Sequence, residues 1–72
     1  MKIRYFSDTD TALIEFSRHK VSETTEINEN IYMDLDIAGS LVAITVEHAR
    51  KQTGLPDVSY EQIEKDSPDK TL

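Results

Sequence analysis

From Ile31 to Ile37 the apolar residues Ile31, Met33, Leu35 and Ile37 alternate with Tyr32, Asp34 and Asp36. Side chains on a β-strand point to opposite faces in turn, so this period of two predicts a strand with one core face and one acidic face. A chain that carries such a strand must build a sheet and then cover one side of it.

The same period runs through the first two-thirds of the chain. Ile3 and Tyr5 alternate with Lys2, Arg4 and Phe6, which predicts strand one over 2–6. The polar cluster Ser7-Asp8-Thr9-Asp10-Thr11 reads as a turn in which Asp side chains bond nearby backbone N–H groups. Strand two follows over 12–17, with Ala12, Ile14 and Phe16 on one side, and closes a hairpin with strand one. Residues 21–27 mix β-branched and polar positions as an edge strand does, and Asn28-Glu29-Asn30 is the turn into the strand at 31–37. Gly39 supplies a tight connection to a fifth strand over 41–46, whose Val42, Ile44 and Val46 suit a core face.

Beyond that strand the pattern turns helical. A helical turn or two is expected over 47–52, with Arg50 and Lys51 at its negative end and Gly54 to stop it. Ser59-Tyr60-Glu61-Gln62 matches the capping box and predicts a short helix at 60–65, docked only by Tyr60 and Ile63. The expected fold class is mostly β (α+β): an antiparallel meander of four to five strands with one or two short C-terminal helices. One domain spans 1–65, and the polar, Pro-containing stretch 66–72 is expected to be a disordered tail.

Composition narrows the function. The 72 residues hold no Cys, which removes disulfides, thiol nucleophiles and cysteine zinc sites. No apolar run approaches the roughly 18 residues of a membrane span, and Met1-Lys2-Ile3-Arg4 opens no signal-peptide core, so the expected compartment is the cytoplasm. The net charge of −6 argues against nucleic-acid binding, which needs clustered cations. Arg4, Arg18, Lys20, Arg50 and Lys51 are interrupted by acids. The acidity concentrates in residues 21–40, where Glu23, Glu26, Glu29, Asp34 and Asp36 meet no cation.

Residue types that carry chemistry have bland readings beside them. Asp34 and Asp36 could hold a hard cation in a small metal-dependent enzyme or a ligand-binding protein, but strand alternation alone puts both on one solvated face. Asp8 and Asp10 suit a turn. His19 and His48 have no partner His at helical spacing, no Ser sits in a nucleophile elbow, and two Gly make no phosphate cradle. No catalytic residue, cofactor or metal site is therefore assigned. The residues singled out for partner binding are Glu23, Glu26, Asp34 and Asp36, facing a basic protein.

The opening Met1-Lys2-Ile3-Arg4-Tyr5-Phe6, then Asp10-Thr11-Ala12-Leu13-Ile14, Thr24-Thr25-Glu26-Ile27, Asp34-Leu35-Asp36 and Gly39-Ser40-Leu41-Val42-Ala43-Ile44 follow one another in an order and spacing that resembles the short bacterial proteins of domain of unknown function family number 2283. The likeness runs from about residue 1 to residue 50. Ala43-Ile44-Thr45 stands where members commonly have Gly-Ile-Glu, and His48-Ala49-Arg50 where an acidic residue, Ala and Ser are usual. The family brings no established activity, so no site transfers. The resemblance implies an antitoxin-like relation to a small basic protein, since some members are encoded beside proteins resembling ribonuclease toxins.

A single apolar sheet face with two short helices to cover it also predicts self-association, as a twofold homodimer that buries the remaining face or pairs open edges.

Overall fold

The structure, a computed structural model, describes residues 1–65. The expected tail at 66–72 lies outside those residues. Five antiparallel strands form one meander-like sheet, followed by one short helix: β1 (Lys2–Phe6), β2 (Thr11–Glu15), β3 (Glu23–Asn28), β4 (Ile31–Leu35), β5 (Leu41–Glu47) and α1 (Ala49–Gln52). The spatial order is β1-β2-β5-β4-β3.

The sheet is thus not laid out in chain order. The most apolar strand, Leu41-Val42-Ala43-Ile44-Thr45-Val46-Glu47, takes the centre, and the polar β3 takes an edge. Residues 16–22 cross the end of the sheet to carry the chain from β2 to that edge. They are pinned there by hydrogen bonds from the Phe16 and Ser17 N–H groups to the Val42 carbonyl (2.7 and 3.3 Å) and from the Ser22 N–H to the Leu35 carbonyl (2.8 Å). This crossing explains why β2 stops at Glu15 rather than 17, and why β3 begins at Glu23 rather than 21.

β4 likewise ends at Leu35, before the predicted limit of 37, because Asp36 turns the chain. Its Oδ1 accepts the N–H groups of Ala38 (2.9 Å) and Ser40 (2.8 Å), and its Oδ2 meets His19 Nδ1 at 2.8 Å. Gly39, at φ 84°, takes the left-handed position of this turn. One aspartate therefore closes the β4–β5 hairpin and ties the crossing segment to it.

The other end is organised by Asp10, at φ 55°. The sequence reading gave it local backbone bonds in the turn. Instead its carbonyl accepts the Ala49 N–H (2.9 Å) and its Oδ1 the Arg50 N–H (3.1 Å), so it caps α1 from 40 residues away. The Tyr5 hydroxyl donates to the same Oδ1 at 2.6 Å, and the Arg50 guanidinium lies 5.9 Å from the centre of the Tyr5 ring. His48, left-handed at φ 56° with its Nδ1 2.9 Å from Asn30 Oδ1, bends the chain from β5 into α1.

Register puts Ile3, Tyr5, Ala12, Ile14, Ile31, Met33, Leu35, Ile44 and Val46 on one face, as the alternation predicts. The cover for that face is thin. Ala12, Val46 and Ala49 form the buried centre, with Tyr5, Ile31, Ile44 and Leu55 packed around it. Residues 53–59 lie across the β1–β2–β5 side, against Ile3, Ala12, Ile14 and Val46. The predicted helix at 60–65 does not form: residues 60–64 carry no regular structure, and Tyr60, Gln62 and Glu64 bond side chain to side chain at every second position. A helix so short needs tertiary packing to offset the cost of its first turn, and Tyr60 and Ile63, the two apolar residues expected to dock it, are 82% and 60% exposed.

Two outcomes follow. Ala12 is fully buried between β1, β5 and α1, so Ala12→Leu overpacks the buried centre and costs about 1–3 kcal/mol, read as a lower urea midpoint at fixed protein concentration. The His19 ring, then the Ser40 and Ala38 N–H groups, hold the Asp36 carboxyl below its ordinary value against the opposing effect of desolvation. A group depressed in the folded state stabilises it above its unfolded pKa, about 4, and that contribution fades as the pH falls through the folded value. Asp36→Asn therefore lowers the urea midpoint at pH 7, and the gap from the parent narrows as titrations are repeated at successively lower pH below 4. A gap independent of pH in that range contradicts the assignment.

Candidate functional site

The face opposite the apolar one is built from the alternate residues of the same strands. One row across it reads Lys2, Glu15, Ala43, Asp34 and Thr24, and the next reads Arg4, Leu13, Thr45, Tyr32 and Glu26. Glu47, opposite Thr11, stands at the end of β5 on this side. The face is divided by charge. Its β1 edge carries Lys2 and Arg4, with Arg4 Nε 3.5 Å from Glu15 Oε2. Its β4–β3 half carries Glu26 and Asp34, with Glu47 and Glu29 around Tyr32 and no cation in either row of that half.

Tyr32 reports the field of this acidic half. Its hydroxyl is held above its ordinary pKa first by desolvation and then by the negative charges of Glu47, Glu26 and Glu29. Asp34 is anchored by the Thr24 hydroxyl, which donates to its Oδ1 at 2.6 Å. Glu26 and Asp34 are diagonal neighbours across the β3–β4 pair, about 7–8 Å apart by sheet geometry.

The four residues singled out in the sequence are thus parted. Glu26 and Asp34 share the acidic half. Glu23, opposite Leu35, belongs to the apolar face, and Asp36 is engaged in its turn. Glu47 and Glu29 were not singled out, and Tyr32 entered only as an alternating partner. Glu47 was expected at a junction into a helix, and its place beside Tyr32 follows from the β4–β5 register, which a linear pattern does not contain.

The remaining chemistry-bearing residues disperse. Asp34 and Asp36 do not face one another, and among the described residues no three His, Asp or Glu side chains are grouped to hold a metal ion. His19 and His48 lie at opposite ends of the sheet, on Asp36 and Asn30. Lys2, Arg4 and Arg18 line one shallow concavity with Glu15, while Arg50 stands at the far end beside Tyr5, so the cations make no continuous stripe. Among the described residues no helix is long and apolar enough to cross a membrane.

Comparison with known proteins places this sheet. No curated protein and no solved structure matches the chain. A family model described as a protein of unknown function, DUF2283, matches residues 2–50, a span that holds all five strands and ends at Arg50, the second residue of α1. The match covers more than half of the chain, and the protein belongs to the DUF2283 family.

Proposed function

We propose that this protein is a cytoplasmic interaction module that acts without catalysis, assembled from two copies, and that the acidic half of its polar face receives a small basic protein. The observation that carries the reading is the register that sets Glu26 opposite Tyr32, with Asp34 in the next row and Glu47 at the end of β5 on the same face; the charges of Glu47, Glu26 and Glu29 all raise the Tyr32 pKa. A patch of like charge attracts its complement at long range and speeds encounter. Tyr32 adds a half-buried aromatic surface at the centre of the patch, the kind of side chain that anchors interfaces. An antitoxin-like role, in which the patch masks the cationic surface of a toxic partner, is the specific form of this reading.

Neutralising three carboxylates separates charge from shape. In a tagged capture from the host lysate at low salt, the parent chain retains one near-stoichiometric small basic protein, and Glu26→Gln/Asp34→Asn/Glu47→Gln loses it. At about 0.5 kcal/mol per exposed charge, the triple variant binds the purified partner roughly tenfold more weakly and with a flatter dependence on salt. Undiminished binding by the variant removes the acidic half as the contact surface. Glu23→Gln on the other face serves as the control and leaves binding unchanged.

A further inference from the structure

The chain carries a net charge of −6, yet three of its eight Lys and Arg residues, Lys2, Arg4 and Arg18, line one concavity at the start of β1. Register sets Lys2 opposite Glu15, and alternation along β1 puts Arg4 on the same face. At the end of β2 the alternation slips. The Phe16 and Ser17 N–H groups both donate to the Val42 carbonyl, at 2.7 and 3.3 Å, two residues against one as in a β-bulge. Past the slip, Phe16 lines the same concavity as Lys2 and Arg4, although continued alternation sends it to the apolar face with Ala12 and Ile14. Arg18 follows it there.

Charge in the concavity runs against that of the whole protein. The three cations meet one acid, Glu15, through Arg4 Nε at 3.5 Å, with the Arg4 side chain 51% exposed. A pair so exposed contributes little, so Arg4 is not committed to it. Among the described residues Lys2 and Arg18 make no ion pair. A concavity lined by one sign of charge focuses its field and concentrates the opposite ion.

The residue types narrow the ligand. Two guanidinium groups and an ammonium suit a phosphate, because each planar fork donates two parallel N–H bonds to its oxygens. Phe16, 39% exposed, offers a ring on which a flat aromatic group stacks. The cluster does not continue into a track along the sheet, since Arg50 stands at the far end beside Tyr5. It therefore suits one phosphate group and not a polynucleotide backbone, which needs many cations in line. The concavity measures about 550 Å³, within the range of about 300–1,000 Å³ typical of small-molecule sites.

We infer that this concavity binds a small molecule that joins a phosphate group to a flat aromatic ring, of the kind represented by a nucleoside monophosphate, with Lys2, Arg4 and Arg18 on the phosphate and Phe16 against the ring. This goes beyond the reading of the acidic half as a protein-binding surface and uses none of its residues.

The test is a nuclear magnetic resonance titration of the isotope-labelled full chain with adenosine monophosphate at low salt. The amide signals of residues 2–4 and 15–18 shift together and saturate, and those around Tyr32 stay in place. Arg4→Gln/Arg18→Gln weakens binding about tenfold or more with an unchanged far-ultraviolet circular dichroism spectrum. Phe16→Leu, which keeps an apolar side chain and loses the ring, weakens adenosine monophosphate about fivefold or more and leaves inorganic phosphate bound as before. Lys51→Gln, outside the concavity, changes neither. The absence of saturable shifts at millimolar nucleotide, or equal binding by the parent and the double Arg variant, overturns the inference. A single-stranded decanucleotide that binds far more tightly than the mononucleotide overturns the restriction to one phosphate. No other protein is present, so capture of a basic protein stands or falls separately.

Discussion

The pairing of β2 with β5 is the contact on which the rest of the molecule depends. Every other pairing in the sheet joins strands linked by a short turn, and it closes locally. β2 and β5 are separated by the crossing segment, β3 and β4, so the chain entropy of closing that loop is met by one seam. That seam brings Thr11 beside Glu47 and therefore Asp10 beside His48 and Ala49. Among the described residues the fully buried side chains, Ala12 and Ala49, meet against Val46 along the same line. Small side chains suit it, because they let backbone from a strand and a helical turn approach closely.

Two aspartates hold the ends of this arrangement, and both do so through oxygen atoms aimed at backbone N–H groups. Asp36 satisfies a hairpin turn and draws in the crossing segment through His19. Asp10 satisfies the first N–H groups of α1 and draws in β1 through Tyr5. Each joins pieces distant in sequence, so each has consequences beyond its own turn. Both carboxyls are held below their ordinary pKa chiefly by these donors.

The two faces of the sheet then divide the work. The polar face carries Glu26, Asp34 and Glu47 on the side of Tyr32, whose hydroxyl also feels the charge of Glu29, and its cations keep to the β1 edge. The apolar face is covered by Ala49 of α1 and by residues 53–59, which return across its β1–β2–β5 side. The two faces thus differ in character, one patterned by charge and the other apolar, because alternate residues of the same strands point to opposite sides.

The sequence by itself determined the strands and their faces. Alternation at Ile31–Leu35 and Leu41–Val46 dictates which side chains share a side, because the pleat has a period of two whatever the neighbours are, whereas Ile37, beyond the end of β4, is 92% exposed. It also contained the family likeness over the first fifty residues. Only the tertiary structure decided the neighbours. The placing of β5 beside β2, the long reach of Asp10, the parting of Glu23 and Asp36 from Glu26 and Asp34, and the joining of Glu47 to Tyr32 all depend on register between strands far apart in the chain. The helix predicted at 60–65 fails for the same reason. The capping box Ser59–Gln62 is a local signal, and a helix with two apolar residues forms only where a surface receives them.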